Sequence, residues 1–153
     1  MKYFSLGQDH RIPNGVLLTN LNNINGYYEY KKGNPSMLDD SFVSPVNSSP
    51  INFYPDILDR QIFMVKGTVK EVLDIFMPEM EYKYCCLLDE TNSVYENYCI
   101  PMLHEVDIHL GDELGLHIFR NENAKNIEVL TSLEFVEALL RRNPIGCRVI
   151  HVT

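Results

Sequence analysis

From Gln61 to Phe76 the chain reads QIFMVKGTVKEVLDIF. Four apolar residues in succession, Ile62–Val65, predict a buried strand. Val69, Val72, Leu73 and Phe76 then recur at i, i+3, i+4 and i+7, which gathers them on one face of a helix. Thr68 and Glu71 have the spacing of a capping box, in which the hydroxyl and the carboxylate each satisfy an orphan amide. Pro78 ends the helix, because it lacks an amide and clashes with the preceding turn. A second unit of the same design follows near the other end. Ile127–Leu130 predicts a short strand, Thr131 with Glu134 a second capping box, and Phe135, Val136, Leu139 and Leu140 a broad apolar helical face. Glu137 and Arg141 have the i, i+4 order that favours a surface ion pair. Arg141 and Arg142 suit the negative end of the helix dipole. Asn143-Pro144 stops this helix, and CRVIHV after Gly146 predicts a closing strand.

Between the two units the period changes from helical to alternating. EYKYCCLLD places Tyr82, Tyr84, Cys86 and Leu88 on one strand face, and VYENYCIP places Val94, Tyr98 and Ile100 together. Five polar residues, DETNS (89–93), join these runs, which predicts a hairpin. MLHEVDIHL continues in extended alternation until Gly111-Asp112-Glu113 breaks it. Leu114–Phe119 reads as a strand and 120–126 as a polar turn. Ahead of the first unit, residues 2–6 predict an opening strand, and Pro55–Asp59 predicts one helical turn. Of the 44 residues from Gly7 to Pro50, 20 are Asn, Gly, Pro or Ser, the residues that favour turns. Within that part Gly15–Leu21 and Tyr27–Lys31 read as strands or short extended pieces, and SPVNSSP (44–50) as a mobile connector. The expected fold is α+β: a single domain over 1–153, loop-rich over 1–50, with its core in 51–153. A mainly antiparallel sheet carries two principal helices, 68–77 and 132–142.

Composition narrows the function classes. The 153 residues hold 13 basic and 21 acidic side chains, a net charge of −8. A negative surface repels phosphate backbones and suits a basic protein partner, so nucleic acid is not expected. No apolar run reaches the roughly 20 residues that span a bilayer, and MKYFSLGQDHR lacks the apolar stretch of a secretory leader. The expected compartment is the cytoplasm. Cys85, Cys86, Cys99 and Cys147 form no C-x-x-C pair, and reduced thiols filling the core are expected. Burial among Tyr and Leu side chains raises a thiol pKa and works against a nucleophilic role for Cys85, Cys86 and Cys99. Cys147, near Arg148 and His151, lies on a strand whose side-chain directions alternate.

The strongest metal candidate is HEVDIH (104–109). On a strand, Glu105, Asp107 and His109 project from one face, a possible set of ligands for a divalent ion. The alternative is a half-buried strand with Val106 and Ile108 inward and the charges in solvent. That alternative is preferred, since metal sites draw supporting residues from several elements. No G-x-S-x-G, Walker A or G-x-G-x-x-G pattern occurs. No residue is assigned a catalytic, cofactor-binding or metal-ligating role, and no cofactor is expected. The nine tyrosines, with Tyr27, Tyr28 and Tyr30 clustered, serve strands and core more readily than a binding surface.

Three segments taken together carry a resemblance: IFMVKGTVKEVL, then YCIPMLHEVD with Pro101, Leu103, Glu105, Val106 and Asp107, then FVEALLRRNPIG with Leu139–Arg142 and Ile145-Gly146. The chain resembles a family of bacterial immunity proteins from polymorphic toxin systems, over about residues 50–150. The link Leu110–Arg120 is shorter than relatives often carry. The resemblance implies a non-enzymatic protein that binds a cognate toxin stoichiometrically and neutralises it. The alternatives are a housekeeping interaction module and a small-ligand or metal-binding protein.

Overall fold

Among the described residues ten short strands assemble into two five-stranded sheets, joined by two helices that pack on one another. The structure is a computed structural model and describes residues 2–152. In chain order the elements are β1 (Tyr3–Gln8), α1 (Tyr27–Lys31), β2 (Ser41–Pro45), β3 (Ile57–Leu58), β4 (Met64–Val65), α2 (Gly67–Phe76), β5 (Tyr82–Asp89) and β6 (Val94–Pro101). They continue with β7 (Glu105–Val106), α3 (Ile108–Glu113), β8 (Ile118–Asn121), β9 (Val129–Ser132), α4 (Leu133–Leu140) and β10 (Cys147–His151). The first sheet has the order β10-β1-β9-β8-β7 and the second β2-β5-β6-β4-β3. Pairing is antiparallel except at one edge of each sheet, where β7 runs parallel to β8 and β2 parallel to β5. The fold is α+β and mainly antiparallel, built on two sheets rather than one.

The apolar periodicities become the shared core. Val69, Val72 and Leu73 of α2 and Phe135 and Leu139 of α4 are buried together with Leu6, Ile57, Val65, Cys99, Ile118 and Val129. Each helix lies on its own sheet and also on the other helix, so one cluster welds both sheets. A second cluster fills the opposite face of the second sheet. There Leu58, Met64, Cys85, Leu87, Tyr98 and Ile100 are covered by Val16, Leu18, Tyr30 and Leu38. The loop-rich first third is therefore a structural layer. Tyr27–Lys31, expected as extended, is a helix, and the hydroxyl of its Tyr30 accepts the Phe63 amide at 2.8 Å. Gly15 and Leu18 do form extended bridges, to Phe53 and Val46.

Several local readings are corrected, each by a tertiary partner that outcompetes a local one. The segment 44–50 is pinned: Ser44 and Pro45 complete β2, Asn47 accepts from Asn52, and the Ser48 and Thr91 hydroxyls meet at 2.8 Å. Ile57–Leu58 is a strand rather than a helical turn, because it pairs with Val65 and Met64. The first capping box does not form. The Lys66 amide donates to Asp56 O at 2.9 Å, which fixes the end of the extended chain and makes Lys66 the N-cap, without a side-chain bond. The second cap moves by one residue. Thr131 is buried in β9 and donates to Phe4 O at 3.1 Å, so Ser132 caps α4 by accepting the Phe135 amide. At the end of α4 it is Arg142 that reaches Glu71 of α2, at 3.5 Å.

Two glycines are required by their neighbours. Gly111 lies inside α3, where a Cβ would meet the Phe119 ring at 2.5 Å, and Gly146 turns the chain at φ +74°. The hairpin is as expected, with Tyr82–Asp89 paired in register to Val94–Pro101. Its turn is fastened by Asp89, only 1% exposed, which accepts from Asn52, Tyr54 and both the backbone and side-chain nitrogens of Asn92. These donors, led by the Asn92 side chain, favour the ionised carboxylate and hold its pKa down at about 2.

Leu73→Ala and Leu139→Ala, both at fully buried sites, are expected to cost about 2–5 kcal/mol each in urea denaturation. His104→Ala, at an exposed site, should cost under about 0.5 kcal/mol. Equal losses at His104 and Leu73 would refute this assignment of faces. The Asp89 pKa is depressed on folding, so its contribution is fully present above its unfolded pKa of about 4 and is lost as pH falls through about 2. The stability gap between the wild type and Asp89→Asn should be widest near neutrality and close between pH 4 and pH 2. A gap that stays constant over that range would show that Asp89 is not the titrating group.

Candidate functional site

A sheet must cover both faces or expose one, and the second sheet does both in different places. On the side facing α2, helix side chains cover β4 and the near part of β6. Val65 pairs with Cys99, and both are buried. Beyond Cys99 the helix ends its reach. Its rim is tied down by Lys70, which pairs with Asp74 at 2.8 Å and stands 4.7 Å from the Tyr82 ring centroid, and by the Tyr82 hydroxyl donating to Asp74 at 2.9 Å. The rest of that face, across β6, β5 and β2, has no cover.

Register decides which side chains occupy it. Tyr84 pairs with Cys99, Cys86 with Asn97 and Leu88 with Tyr95 on one side. Ser41, Val43 and Pro45 of β2 pair with Tyr84, Cys86 and Leu88 on the other. Directly paired residues share a face, so these side chains form one continuous surface. Its apolar members are open to solvent: Tyr95 is 66% exposed, Val43 64%, Tyr84 49% and Leu88 38%. A shallow depression of about 480 Å³ lies among Val43, Tyr84, Cys86 and Asn97. The residues between them, Cys85, Leu87 and Tyr98, point the other way and are buried. Alternation in the sequence placed Tyr82, Tyr84, Cys86 and Leu88 together. Alternation alone does not reveal that this face is left open, or that Val43 and Tyr95 join it.

The metal candidate is taken apart by the fold. Only Glu105 and Val106 are strand, pairing with Arg120 and Asn121. Asp107 instead caps α3, accepting the Leu110 amide at 2.7 Å, and His109 lies inside that helix. Glu105, Asp107 and His109 therefore do not share a strand face. Among the described residues no three His, Cys, Asp or Glu side chains converge as a metal site. The adjacent thiols point to opposite faces as expected. Burial pushes Cys85 up to about 12, Cys99 to about 11 and Cys147 to about 12. Cys86 is half-buried on the open face.

No helix among the described residues is long and apolar enough to cross a membrane. No family model, curated protein or solved structure matches the chain.

A neutral-pH thiol reagent should modify Cys86 first, since the three other thiols have little thiolate at that pH. Peptide mapping after brief labelling, with Cys86→Ser removing the fast phase, checks this. First labelling at Cys85 would mean the hairpin faces are inverted.

Proposed function

We propose that this is an immunity-type protein that binds a cognate bacterial toxin in the cytoplasm and neutralises it by direct contact, without catalysis of its own. The observation that supports the reading best is the open tyrosine-bearing face of β2, β5 and β6. Tyrosine rings on a rigid sheet lose little conformational freedom on binding, and each combines a large apolar area with a polar tip. Tyr84 has strand backbone on both sides and Tyr95 is paired to Leu88 of β5, so both are held in place before any partner arrives, which lowers the cost of association.

Charge favours a basic toxin domain as the occupant. The chain carries −8 overall, and carboxylates border the face. Glu90 is exposed in the hairpin turn, while Asp40 next to the start of β2 and Asp74 at the α2 rim are paired with Lys83 and Lys70. Long-range attraction would then speed encounter, while the desolvated aromatic contacts would set how long the complex lasts. The resemblance over about residues 50–150 agrees with this role and spans β5 and β6.

The test is co-expression with the product of the neighbouring gene, screened for a toxin domain, followed by size-exclusion chromatography. Protection from toxicity and a stoichiometric complex are expected, with Cys86 shielded from thiol reagent in the complex. Tyr84→Thr and Tyr95→Thr keep a strand-favouring side chain and should each weaken binding at least about tenfold. Association should slow as salt rises from about 50 to about 500 mM, where the Debye length falls from about 14 to about 4 Å. Continued toxicity with no complex would overturn the proposal.

A further inference from the structure

One cleft carries more positive than negative charge. A cleft of about 630 Å³ lies between α1, the 59–61 segment and the turn joining β8 to β9, and four cations line it: Lys31, Arg60, Arg120 and Lys125. It opens among the residues that cover the Cys85–Leu87 face of the second sheet, on the far side from Tyr84 and Tyr95. The chain has 21 carboxylates for its 13 Lys and Arg side chains, so most cations find an anion easily. Arg11, Lys66, Lys70, Lys83 and Arg142 each have one within 4 Å. Among the described residues none of the four cleft cations does.

Neutral groups position three of these cations. Arg60 donates from Nε to His10 Nδ1 at 2.9 Å. The guanidinium is always protonated, so His10 must accept there, and its remaining proton sits on Nε2. That nitrogen is 2.8 Å from Asp59 Oδ1. Asp59 Oδ2 is occupied by the Gln8 amide at 2.9 Å. The one carboxylate of the cleft is thus turned toward His10 and the β1 backbone, leaving the Arg60 fork unopposed. Arg120 lies 5.6 Å from the Tyr30 ring centroid and Lys31 5.9 Å from that of Tyr27. The Tyr27 and Tyr30 rings are near-parallel, 6.5 Å between centroids at 19°. Tyr30 is buried, while Tyr27 is half-open on the cleft wall.

Four cations that share one cleft with no carboxylate within 4 Å among the described residues repel one another, and a ligand with several negative charges relieves that repulsion. Two guanidinium forks match phosphate oxygens in geometry as well as charge. Lys31 stands over the half-open Tyr27 ring, and a flat heterocycle would take its place on that face. A long nucleic acid would have to lie along the acidic surface outside, whereas a small ligand fits within the concavity. We propose that this cleft binds a nucleoside di- or triphosphate, its phosphates between Arg60, Arg120 and Lys125 and its base on Tyr27.

Calorimetric titration of the full chain in magnesium-free buffer at about 50 mM salt, where screening is modest, tests the assignment with ADP, ATP, pyrophosphate and adenosine as probes. ADP and ATP should bind at least about tenfold tighter than either pyrophosphate or adenosine alone, as expected when charge and ring are both read. Arg60→Gln and Lys125→Gln alter exposed side chains and should each weaken ADP binding at least about tenfold. Lys83→Gln, outside the cleft and paired with Asp40, should leave it unchanged. Thermal melts confirm that each variant is folded. No binding of ADP or ATP at about 1 mM would overturn the proposal. So would equal affinity for ADP and pyrophosphate, or undiminished binding by both folded cleft variants.

Discussion

Everything in this molecule depends on α2 and α4 sharing one apolar interface. A two-sheet protein with two main helices has four sheet faces to cover and too few helices for all of them. Packing the helices against each other, each on its own sheet, lets Val69, Leu73, Phe135 and Leu139 close two faces with a single cluster. The remaining faces need other cover. The first sheet obtains it from α3, where Gly111 allows Phe119 to approach the helix backbone and Tyr3 packs edge-on to Phe119 at 5.1 Å. The second sheet obtains it from the first third of the chain, and only on one side. Where α2 stops, the other side stays bare.

That arrangement explains which parts of the sequence could be read. Helical periodicity survives at Val69, Val72, Leu73, Phe135, Val136 and Leu139, because the side chains that make the pattern are buried, whereas Leu140, expected on the same face, is 53% exposed. The hairpin survives because its partners are adjacent in sequence. Local capping signals fared worse. Thr68–Glu71 and Thr131–Glu134 have the right spacing, but strand pairing of distant segments decides where each helix starts. The cap at Asp107 was hidden in an apparent β alternation, since period-two and helical patterns overlap over a few residues. The first 50 residues read as loop because their turn residues outnumber the few buried anchors, Val16, Leu18, Tyr30 and Leu38, that fix them to the sheet.

The open face and the basic cleft divided in the same way. The shared face of Tyr84, Cys86 and Leu88 was legible, whereas its exposure follows from the length of α2 and from the placement of β2, neither of which alternation encodes. The cleft was not legible at all. Lys31, Arg60, Arg120 and Lys125 are scattered singly over 95 residues of sequence, and only the meeting of α1 with the β8–β9 turn makes them neighbours. An acidic whole with a basic concavity also shows why net charge is a poor guide to what a small ligand meets.

The position of β1 has a consequence for biosynthesis. It lies between β9 and β10, with Tyr3 opposite Ser132 and Gln8 opposite Cys147. During vectorial synthesis the opening strand therefore emerges with both ladder partners still untranslated, and the first sheet closes only when the last quarter of the chain has left the ribosome. The strands of the second sheet, β2 through β6, all lie within residues 41–101 and are complete well before then. Its pairing can proceed while Tyr3 and Leu6 wait uncovered, so the nascent chain exposes an apolar N-terminal strand for much of its translation time. Chaperone dependence should concentrate on β1 until its partners emerge.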